Sequence, residues 1–558
     1  MTYQLVIRNG TVVDGSGLAP YRADVGVVGG RIARIGRIRE PGDQEVDAEG
    51  HVVTPGFIDG HTHMDAQVFW DPLGTPSCWH GITTVVMGNC GFTLAPAHAD
   101  ARDLAITSIE RAEDISRAAM AAGIGEWSWE TFPEYLDAVD ALPKGINVAA
   151  QVGHSALRTW AMGERAFSEP ATEDDLVAME RQLAESMAAG AIGFSTSRDS
   201  ENHRTTDDRF VPPCFATWEE VARLVGVLAD AGRGVFELAS EPAARSTDPE
   251  VRAGWQAQVI ELAVASGVPI TGPLSLRLID STAAAGGRMF GQVHSRGITN
   301  ISSFRSRLPF DVLAEWQEVR RQPLERQRAL LEDPDVRSRL VWAAHHGDYP
   351  AAVGAEAPVP DYDRLRVFDD VLPPQPTVAE AAALRGVDPV ELMIDLALAT
   401  DFDQLFFQPL GPVDPDYLLR AMKHPRTVTT FSDAGAHVSQ ISDCSIQTYL
   451  LAYWMRQQGA FTLEEAVSML TLRPAVLWGL TDRGLLRQGM VADINVFDPE
   501  TVAPRLPQIV PDLPGGSIRL VQRADGFLAT VVAGQVVHAA GQPTGALPGR
   551  LLRAAEAG

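Results

Sequence analysis

The chain has 558 residues, of which 45% are hydrophobic and 21% are charged, which is ordinary for a globular protein of two or three domains. Its formal net charge of −26 repels nucleic acid and anionic membranes, so we expect neither as a partner. The sequence contains no charged leader and no run of about 18 apolar residues, which predicts a cytoplasmic protein without membrane spans. Its four cysteines are scattered without CxxC spacing, which argues against a disulfide framework or a zinc ribbon.

Both ends of the chain are rich in short β-like runs. Residues 5–35 alternate valine- and isoleucine-rich runs with Asn-Gly, Asp-Gly and Gly-Gly pairs, which are typical of hairpin turns. We expect Asn9-Gly10 to form the first of these turns. Similar runs return near the C-terminus, so we predict one composite β-sandwich domain built from residues 1–55 and 485–558. Two unrelated β extensions are the alternative.

The middle of the chain alternates amphipathic helices with short apolar strands. The predicted helices are 174–187, 219–231 and 255–266, and the strands that follow them are 191–196, 234–239 and 268–271. Repeated units of this length predict an α/β fold with a parallel sheet, and their number favours a (β/α)8 TIM barrel. We predict the barrel over residues 56–484. The Arg-, Pro- and Asp-rich stretch 305–375 is interpreted as an insertion or lid.

The most informative local motif is PGFIDGHTH at residues 55–63. An apolar strand ends there with His61 and His63, and side chains two residues apart on a strand lie on one face. At the carboxyl end of a first barrel strand, two imidazoles form half of a divalent-metal site, with Zn²⁺ the default cation for nitrogen ligands. His-x-His alone is weak evidence, but the apolar strand and the β-rich segment before it strengthen the interpretation.

This motif resembles the first-strand motif of the amidohydrolase superfamily. The segments after it are similar to N-acyl-D-amino-acid deacylases, in the same order along the chain: 80–96, 152–158, 189–196, 430–437 and 489–498. The resemblance covers nearly the whole chain. It implies a metal-dependent barrel enzyme that holds one or two divalent ions and hydrolyses a non-peptide C–N amide bond.

The resemblance also implies roles for individual residues. Cys90, in a Gly-Asn-Cys-Gly segment, would be a zinc ligand, with a buried small hydrophobic residue as the alternative. Asp433 follows the eighth strand and would act as general base and then acid beside a metal-activated water, with a turn-capping aspartate as the alternative. His154, Arg158 and His437 lie inside matching motifs, and we expect them to contact substrate or to orient ligands.

Two features of the deacylases are missing. They supply two further ligand histidines from later strands, but Glu237 stands where the first is expected and residues 269–275 contain none. Three interpretations therefore stay open: one metal on the His-x-His pair with Asp433 and Cys90, Glu237 as a replacement carboxylate ligand, or a non-catalytic scaffold without metal. The Lys and Arg that bind the substrate carboxylate in the deacylases are also absent, so an N-acyl-D-amino acid bound in their manner is not expected.

We predict hydrolysis of a small N-acyl or amide substrate through a metal-activated water and Asp433. A lactone or other ester is the alternative substrate, because both reactions pass through a tetrahedral oxyanion. We expect His203, His294 and the His345-His346 pair to be surface or hydrogen-bonding histidines rather than ligands. The sequence leaves the oligomeric state open, a homo-oligomer included.

Overall fold

The computed structural model describes residues 2–199, 201, 203–411 and 413–554. Within these residues, strands from both chain ends form one nine-stranded sheet: Tyr3–Val12, Tyr21–Val28, Arg31–Gly36, Gly42–Asp47, Val52–Pro55, Ile494–Phe497, Phe527–Val532, Gln535–Ala539 and Gln542–Pro543. The ends meet where Val52–Pro55 pairs antiparallel with Ile494–Phe497. Buried aliphatic side chains from both ends, such as Val53 and Val496, pack in one hydrophobic cluster.

The Asn9-Gly10 pair does not form a hairpin turn, so that prediction is wrong. Tyr3–Val12 is one continuous strand whose register against the next strand shifts at this point, which makes the pair a β-bulge. Asn9 adopts a φ of 59°, and its backbone N–H donates to Asp24 Oδ1 over 3.0 Å. A Cβ atom on Gly10 would come within 2.4 Å of Val53 Cγ2, so close packing against the neighbouring strand requires glycine there.

Parallel strands from the middle of the chain pair in a circular order. In chain order they are Phe57–Asp59 with His61–Thr62, Ile82–Met87, Asn147–Ala150 with Val152–Gly153, Gly193–Ser197, Val235–Ser240, Ile270–Gly272, Met289–Val293, and Thr427–Thr429 with Phe431–Ala434. Each pairs in parallel with the next, and Phe431–Ala434 pairs back with His61–Thr62. This α/β arrangement places the carboxyl ends of all these strands on one side.

Helices connect most of these strands: Arg102–Glu110, Arg117–Ile124, Phe132–Ala141, His154–Met162, Glu173–Ala188, Trp218–Ala231, Pro242–Arg245, Pro249–Ser266, Leu276–Ala284, Pro415–Lys423, Ile446–Tyr449 continuing as the π-helix Leu450–Gln457, Leu463–Leu470 and Leu472–Leu477. The three predicted helices are confirmed. The third begins six residues before its predicted start, because Asp248 caps it and Pro249 takes its first position. No helix in the described ranges is long and apolar enough to cross a bilayer.

A separate unit lies between the last two strands of the circular order. Its sheet is Thr299–Ser303, Leu405–Pro409 and Arg366–Val367, and its helices are Ala314–Arg320, Leu324–Glu332, Pro334–His346, Val378–Arg385 and Pro389–Ala399. These elements pack on a hydrophobic cluster of their own around Trp316 and Phe406. The predicted insertion at 305–375 falls inside this unit, and the domain boundaries drawn from the sequence stay a prediction.

Shorter elements complete the described chain. Two hairpin-like pairs, Ala503–Pro504 with Ala524–Asp525 and Gln508–Val510 with Arg519–Val521, lie in the C-terminal region. Single turns of 3-10 helix occur at Gln67–Phe69, Ser77–His80, Gly163–Phe167, Pro212–Phe215, Pro309–Val312 and Pro514–Gly516. The second hairpin reaches the carboxyl side of the parallel strands, where the Leu520 N–H donates to Val438 O over 2.7 Å.

Candidate metal centre

His61 and His63 lie at the carboxyl end of the first parallel strand, and both side chains are buried. The His63 backbone N–H donates to Ala434 O over 2.8 Å, and this strand contact brings Asp433 beside the two imidazoles. Asp433 Oδ1 lies 3.5 Å from His61 Nε2 and 3.0 Å from His63 Nε2. The structure therefore joins the residues that the first and last strand motifs singled out.

Cys90 reaches the same point from the end of the second strand. Its Sγ atom lies 3.4 Å from His61 Nε2, on the side that also faces Asp433. Cys90 and Asp433 both adopt the left-handed backbone region, with φ values of 55° and 58°. Non-glycine residues seldom occupy that region, and such strain is concentrated at functional sites. Cys90 and Asp433 thus point toward His61 from backbone conformations that their residue types disfavour.

Three separations among the donor atoms of these four residues are close to those of a zinc site. A tetrahedral zinc with bonds of about 2.0–2.3 Å separates its ligand atoms by roughly 3.3–3.8 Å. The three separations above, from 3.0 to 3.5 Å, lie at or just below that range. His63 Nε2 and Asp433 Oδ1 are buried without a hydrogen-bond partner, whereas buried polar atoms normally have one. The residues present therefore fit a divalent cation.

Glu237 lies behind His61 rather than among these donor atoms. Its Oε1 is 3.0 Å from His61 Nδ1, the ring nitrogen opposite the one that faces Cys90 and Asp433. Gln292 Oε1 also lies near that nitrogen, at 2.7 Å. Among the described residues, no compact group of donors includes Glu237. This geometry is that of a carboxylate that orients a ligand imidazole, and it does not favour Glu237 as a substitute ligand.

Glu113, which the sequence analysis missed, is part of the cluster. It follows the helix Arg102–Glu110, and its side chain is only 1% exposed. Its Oε2 lies 3.6 Å from His63 Nε2 and 3.5 Å from His437 Nε2. The surrounding sequence mixes acidic and basic residues and has the character of a solvated helix end. Nothing local distinguishes Glu113 from an exposed residue.

His437 and His203 flank Glu113 from two further loops. His437 Nε2 lies 3.5 Å from Asp433 Oδ2, so the structure brings this predicted residue to the cluster. His203 was expected to be a surface or hydrogen-bonding histidine. It is buried, its Nδ1 lies 3.0 Å from Ser197 Oγ, and its Nε2 lies 3.9 Å from Glu113 Oε1. The cluster thus contains one histidine more than the sequence analysis assigned to it.

His154 and Arg158 are not brought to the cluster. Both lie on the helix His154–Met162 and are fully buried. His154 Nε2 lies 2.8 Å from Glu220 Oε1 and its Nδ1 lies 2.8 Å from Thr196 Oγ1. Arg158 Nη1 donates to both carboxylate oxygens of Glu220, over 2.5 and 2.6 Å. These bonds link the helix His154–Met162 to the helix Trp218–Ala231. They do not support the prediction that His154 and Arg158 contact a substrate.

Buried carboxylates dominate the electrostatics of the cluster. Burial, followed by repulsion from Asp433, raises the pKa of Glu113 well above its usual value. Burial acts in the same direction on Asp433, but the close imidazoles of the His-x-His pair outweigh it and hold the pKa of Asp433 well below its usual value. Burial lowers the pKa of His203 to about 3, which keeps that imidazole neutral. A bound cation would offset this concentration of acidic groups.

The cluster is nearly closed to solvent. A cavity of about 20 Å³, with room for a single water, lies beside Asp433, and none of the other side chains of the cluster lines it. Asp114, the residue after Glu113, anchors the loop that follows Asp433. Its Oδ2 accepts hydrogen bonds from Ser439 N and Oγ and from Gln440 Nε2, and its Oδ1 accepts one from Arg307 Nη2. Asp114 thereby ties the loop after Asp433 to the separate unit.

The chain is similar to known proteins over nearly its whole length. It matches the amidohydrolase family over residues 44–538. A protein of Mycobacterium tuberculosis is 31% identical, with 100% of this chain and 97% of that protein covered. D-aminoacylase of Alcaligenes xylosoxydans xylosoxydans is 30% identical over 90% of this chain and 89% of its own.

A solved structure adds a comparison at the level of the fold. N-acyl-D-glutamate deacylase of Bordetella bronchiseptica, solved with zinc and a phosphonate mimic of the tetrahedral intermediate, aligns with a TM-score of 0.64. The alignment covers 99% of this chain and 100% of that one, at 26% sequence identity. The chain therefore belongs to the amidohydrolase family and is a hydrolase that acts on carbon–nitrogen bonds other than peptide bonds.

Proposed function

We propose that the chain hydrolyses an amide bond of a small N-acyl or amide compound, with a divalent cation held by His61, His63, Cys90 and Asp433. The observation that carries this proposal is the close contact of Asp433 with His61 and His63, and of Cys90 with His61, although these residues come from the first, second and last strands of the circular order. The D-aminoacylase relative and the zinc-containing deacylase structure support it. We propose Zn²⁺ as the cation.

The proposal includes the architecture around this site. We interpret the circular parallel pairing as a (β/α)8 barrel and the nine-stranded sheet as the composite β-sandwich domain. A barrel of this kind carries its active site at the carboxyl ends of its strands, and the four ligand candidates lie there. The cytoplasmic location predicted from the sequence stays a prediction.

Asp433 has the properties of the group that moves protons. A divalent cation bound in this centre supplies Lewis-acid polarisation and lowers the pKa of water toward about 7. The pKa of Asp433 lies well below its usual value, so its carboxylate is ionised. We propose that it accepts a proton from the attacking water and returns that proton to the departing amine. His437 Nε2 lies 3.5 Å from the second oxygen, Oδ2.

The acidic character of the centre narrows the substrate class. Among the described residues of the cluster there is no lysine or arginine, while Glu113, Glu237 and Asp433 are all buried there. Arg519 lines the small cavity beside Asp433 but is paired with Asp512, so an anionic group beside the reacting bond would meet these carboxylates and only an arginine that already has its counter-charge. We therefore propose a neutral or cationic group next to the scissile amide.

The test is the Asp433→Asn variant, assayed for zinc content and for hydrolysis of a panel of small amides and esters. We expect zinc to stay bound through the three other ligands, with weaker affinity, and amide turnover of the zinc-loaded variant to fall by roughly 10²–10⁴-fold, the usual contribution of a positioned acid–base group. Asp401→Asn is a matched control, because Asp401 also adopts a positive φ but lies on the surface. An active Asp433→Asn variant would remove the proposed base, and turnover of esters alone would replace the amide assignment.

A further inference from the structure

A second group of metal-ligand side chains lies against the first. Cys90 Sγ, a carboxylate oxygen of Glu113 and a ring nitrogen of His203 all lie within 4.8 Å of one another. Cys90 also belongs to the group with His61 and His63. The two groups therefore share one thiol, and a third group, His63, Glu113 and Asp433, joins Glu113 to the first site as well.

Glu113 supplies the independent sign that a ligand belongs here. Its side chain is 1% exposed, and its Oε1 atom is buried without a hydrogen-bond partner. Burying a carboxylate oxygen in this state is costly unless it is paired or coordinates a metal. The other oxygen, Oε2, lies 3.5 Å from His437 Nε2 and 3.6 Å from His63 Nε2.

His203 is oriented in the manner of a metal ligand. Its Nδ1 lies 3.0 Å from Ser197 Oγ, which fixes the ring. Its Nε2 is left facing the unpartnered Glu113 Oε1 at 3.9 Å. Histidine ligands usually bond through one nitrogen to a neighbouring group and use the other for the metal. A carboxylate, a neutral imidazole and a thiolate are all ligands that zinc accepts.

The deacylase resemblance already implies one or two divalent ions, and we propose that in this chain Glu113 and His203, together with Cys90, hold the second. This proposal rests on the proposed function, since it presupposes the first cation. The deacylase resemblance places two further ligand histidines on later strands, where this chain has Glu237 and no histidine at 269–275. The second cation would instead be held by the loops that carry Glu113 and His203.

The experiment counts ions per chain. The full-length protein is stripped with a chelator, loaded with Zn²⁺, desalted and measured by plasma mass spectrometry. We expect about two zinc ions per chain in the wild type and about one in Glu113→Gln and in His203→Gln. Two control variants should keep two zinc ions per chain. They are Glu110→Gln, one helical turn before Glu113, where the carboxylate pairs with Arg117, and His345→Gln, where the imidazole pairs with Asp388. Circular dichroism of the stripped proteins verifies that each variant folds.

Each outcome bears on one of the two proposals. One zinc per chain in the wild type, unchanged in Glu113→Gln, would overturn the second site and leave the proposed function intact if Asp433→Asn still abolishes turnover. Loss of all zinc in Glu113→Gln would make Glu113 a ligand of the first cation and would also overturn the second site. No zinc in the wild type would overturn both proposals. If Glu113→Gln fails to fold, Glu113→Asp takes its place and should weaken only the second ion.

Discussion

Two buried clusters in this molecule contain the same kinds of side chain and differ in how those side chains are satisfied. Around Glu220, both carboxylate oxygens accept hydrogen bonds from Arg158 and both ring nitrogens of His154 have partners, while Arg158 Nε has none. Around Asp433, carboxylate oxygens of Glu113 and Asp433 and a ring nitrogen of His63 lack partners. Motif position alone placed His154 and Arg158 beside the site, whereas unpartnered carboxylate and imidazole atoms mark the cluster that we propose binds a cation.

The directions of the pKa shifts repeat this contrast. Burial would raise the pKa of Glu220, but hydrogen bonds and charges from His154 and Arg158 outweigh it and lower that pKa. Burial raises the pKa of Glu113, and the neighbouring Asp433 adds to the rise. Neighbouring side chains thus stabilise the Glu220 carboxylate as an anion, whereas the surroundings of Glu113 disfavour its ionised form.

The largest expected effect comes from removing the His-x-His pair. The double variant His61→Ala with His63→Ala should lose bound zinc and with it Lewis-acid stabilisation worth several kcal/mol, which is about 10³-fold or more in amide turnover. Zinc content and turnover are measured on the same preparation. His345→Ala, at a half-exposed histidine of the separate unit, should leave both unchanged. Unchanged zinc in the double variant would contradict the site assignment.

Breaking the satisfied cluster should affect stability instead. Glu220→Gln leaves the fully buried Arg158 guanidinium without its counter-charge, and the free energy of unfolding should fall by about 3–5 kcal/mol. Urea denaturation measures this loss. Glu180→Gln is the control, because Glu180 pairs with Arg223 at the surface and should cost under about 1 kcal/mol. A large loss of zinc from folded Glu220→Gln protein would show that the two clusters are not separate.

Glu237→Gln tests how His61 is oriented. Without the carboxylate beside His61 Nδ1, zinc affinity should weaken by roughly 10–100-fold while the ion can still be loaded at high concentration. Competition with a chromophoric chelator measures that affinity. Glu219→Gln, on the helix Trp218–Ala231, is a surface control. Failure of the variant to bind zinc at any concentration would make Glu237 a ligand.

The smallest expected effect is on the acid side of the stability curve. Because the pKa of Glu220 is lowered in the folded state, the unfolded chain binds more protons as the pH falls through the ordinary glutamate range. The contribution of Glu220 to stability is therefore present above that range and is lost below it. In Glu220→Gln, the free energy of unfolding should depend less steeply on pH below about 5. An identical slope in wild type and variant would contradict the assigned shift.

The predictable part of the site is the part held by strand ends. His61 and His63 follow from strand periodicity, and Cys90 and Asp433 from motifs placed directly after buried strands, where parallel pairing brings separate segments together. Glu113 lies on a turn outside the strands, so its position depends on packing between distant segments. Such packing has no local signature. His154 was misplaced because its strand ends one residue earlier and a helix begins at the histidine itself.

The fold of the first strand also depends on contacts that have no local signature in the sequence. Asn-Gly between two valine-rich runs favours a hairpin, and here it forms a bulge because both runs pair with the same neighbouring strand. Asn9 does adopt the positive φ that an Asn-Gly turn requires, but the strand continues through it instead of reversing direction. Which strand lies alongside is decided by pairing between residues far apart in sequence, and the dipeptide carries no information about it.

The turn that contains Glu113 also contains Asp114, which anchors the loop covering Asp433. Glu113 bonds to the same loop through its backbone, since its carbonyl oxygen accepts a hydrogen bond from the His437 N–H over 2.5 Å. Two adjacent residues therefore fasten this loop, one through a backbone carbonyl and one through a carboxylate, and the first of them also brings its own carboxylate to the centre.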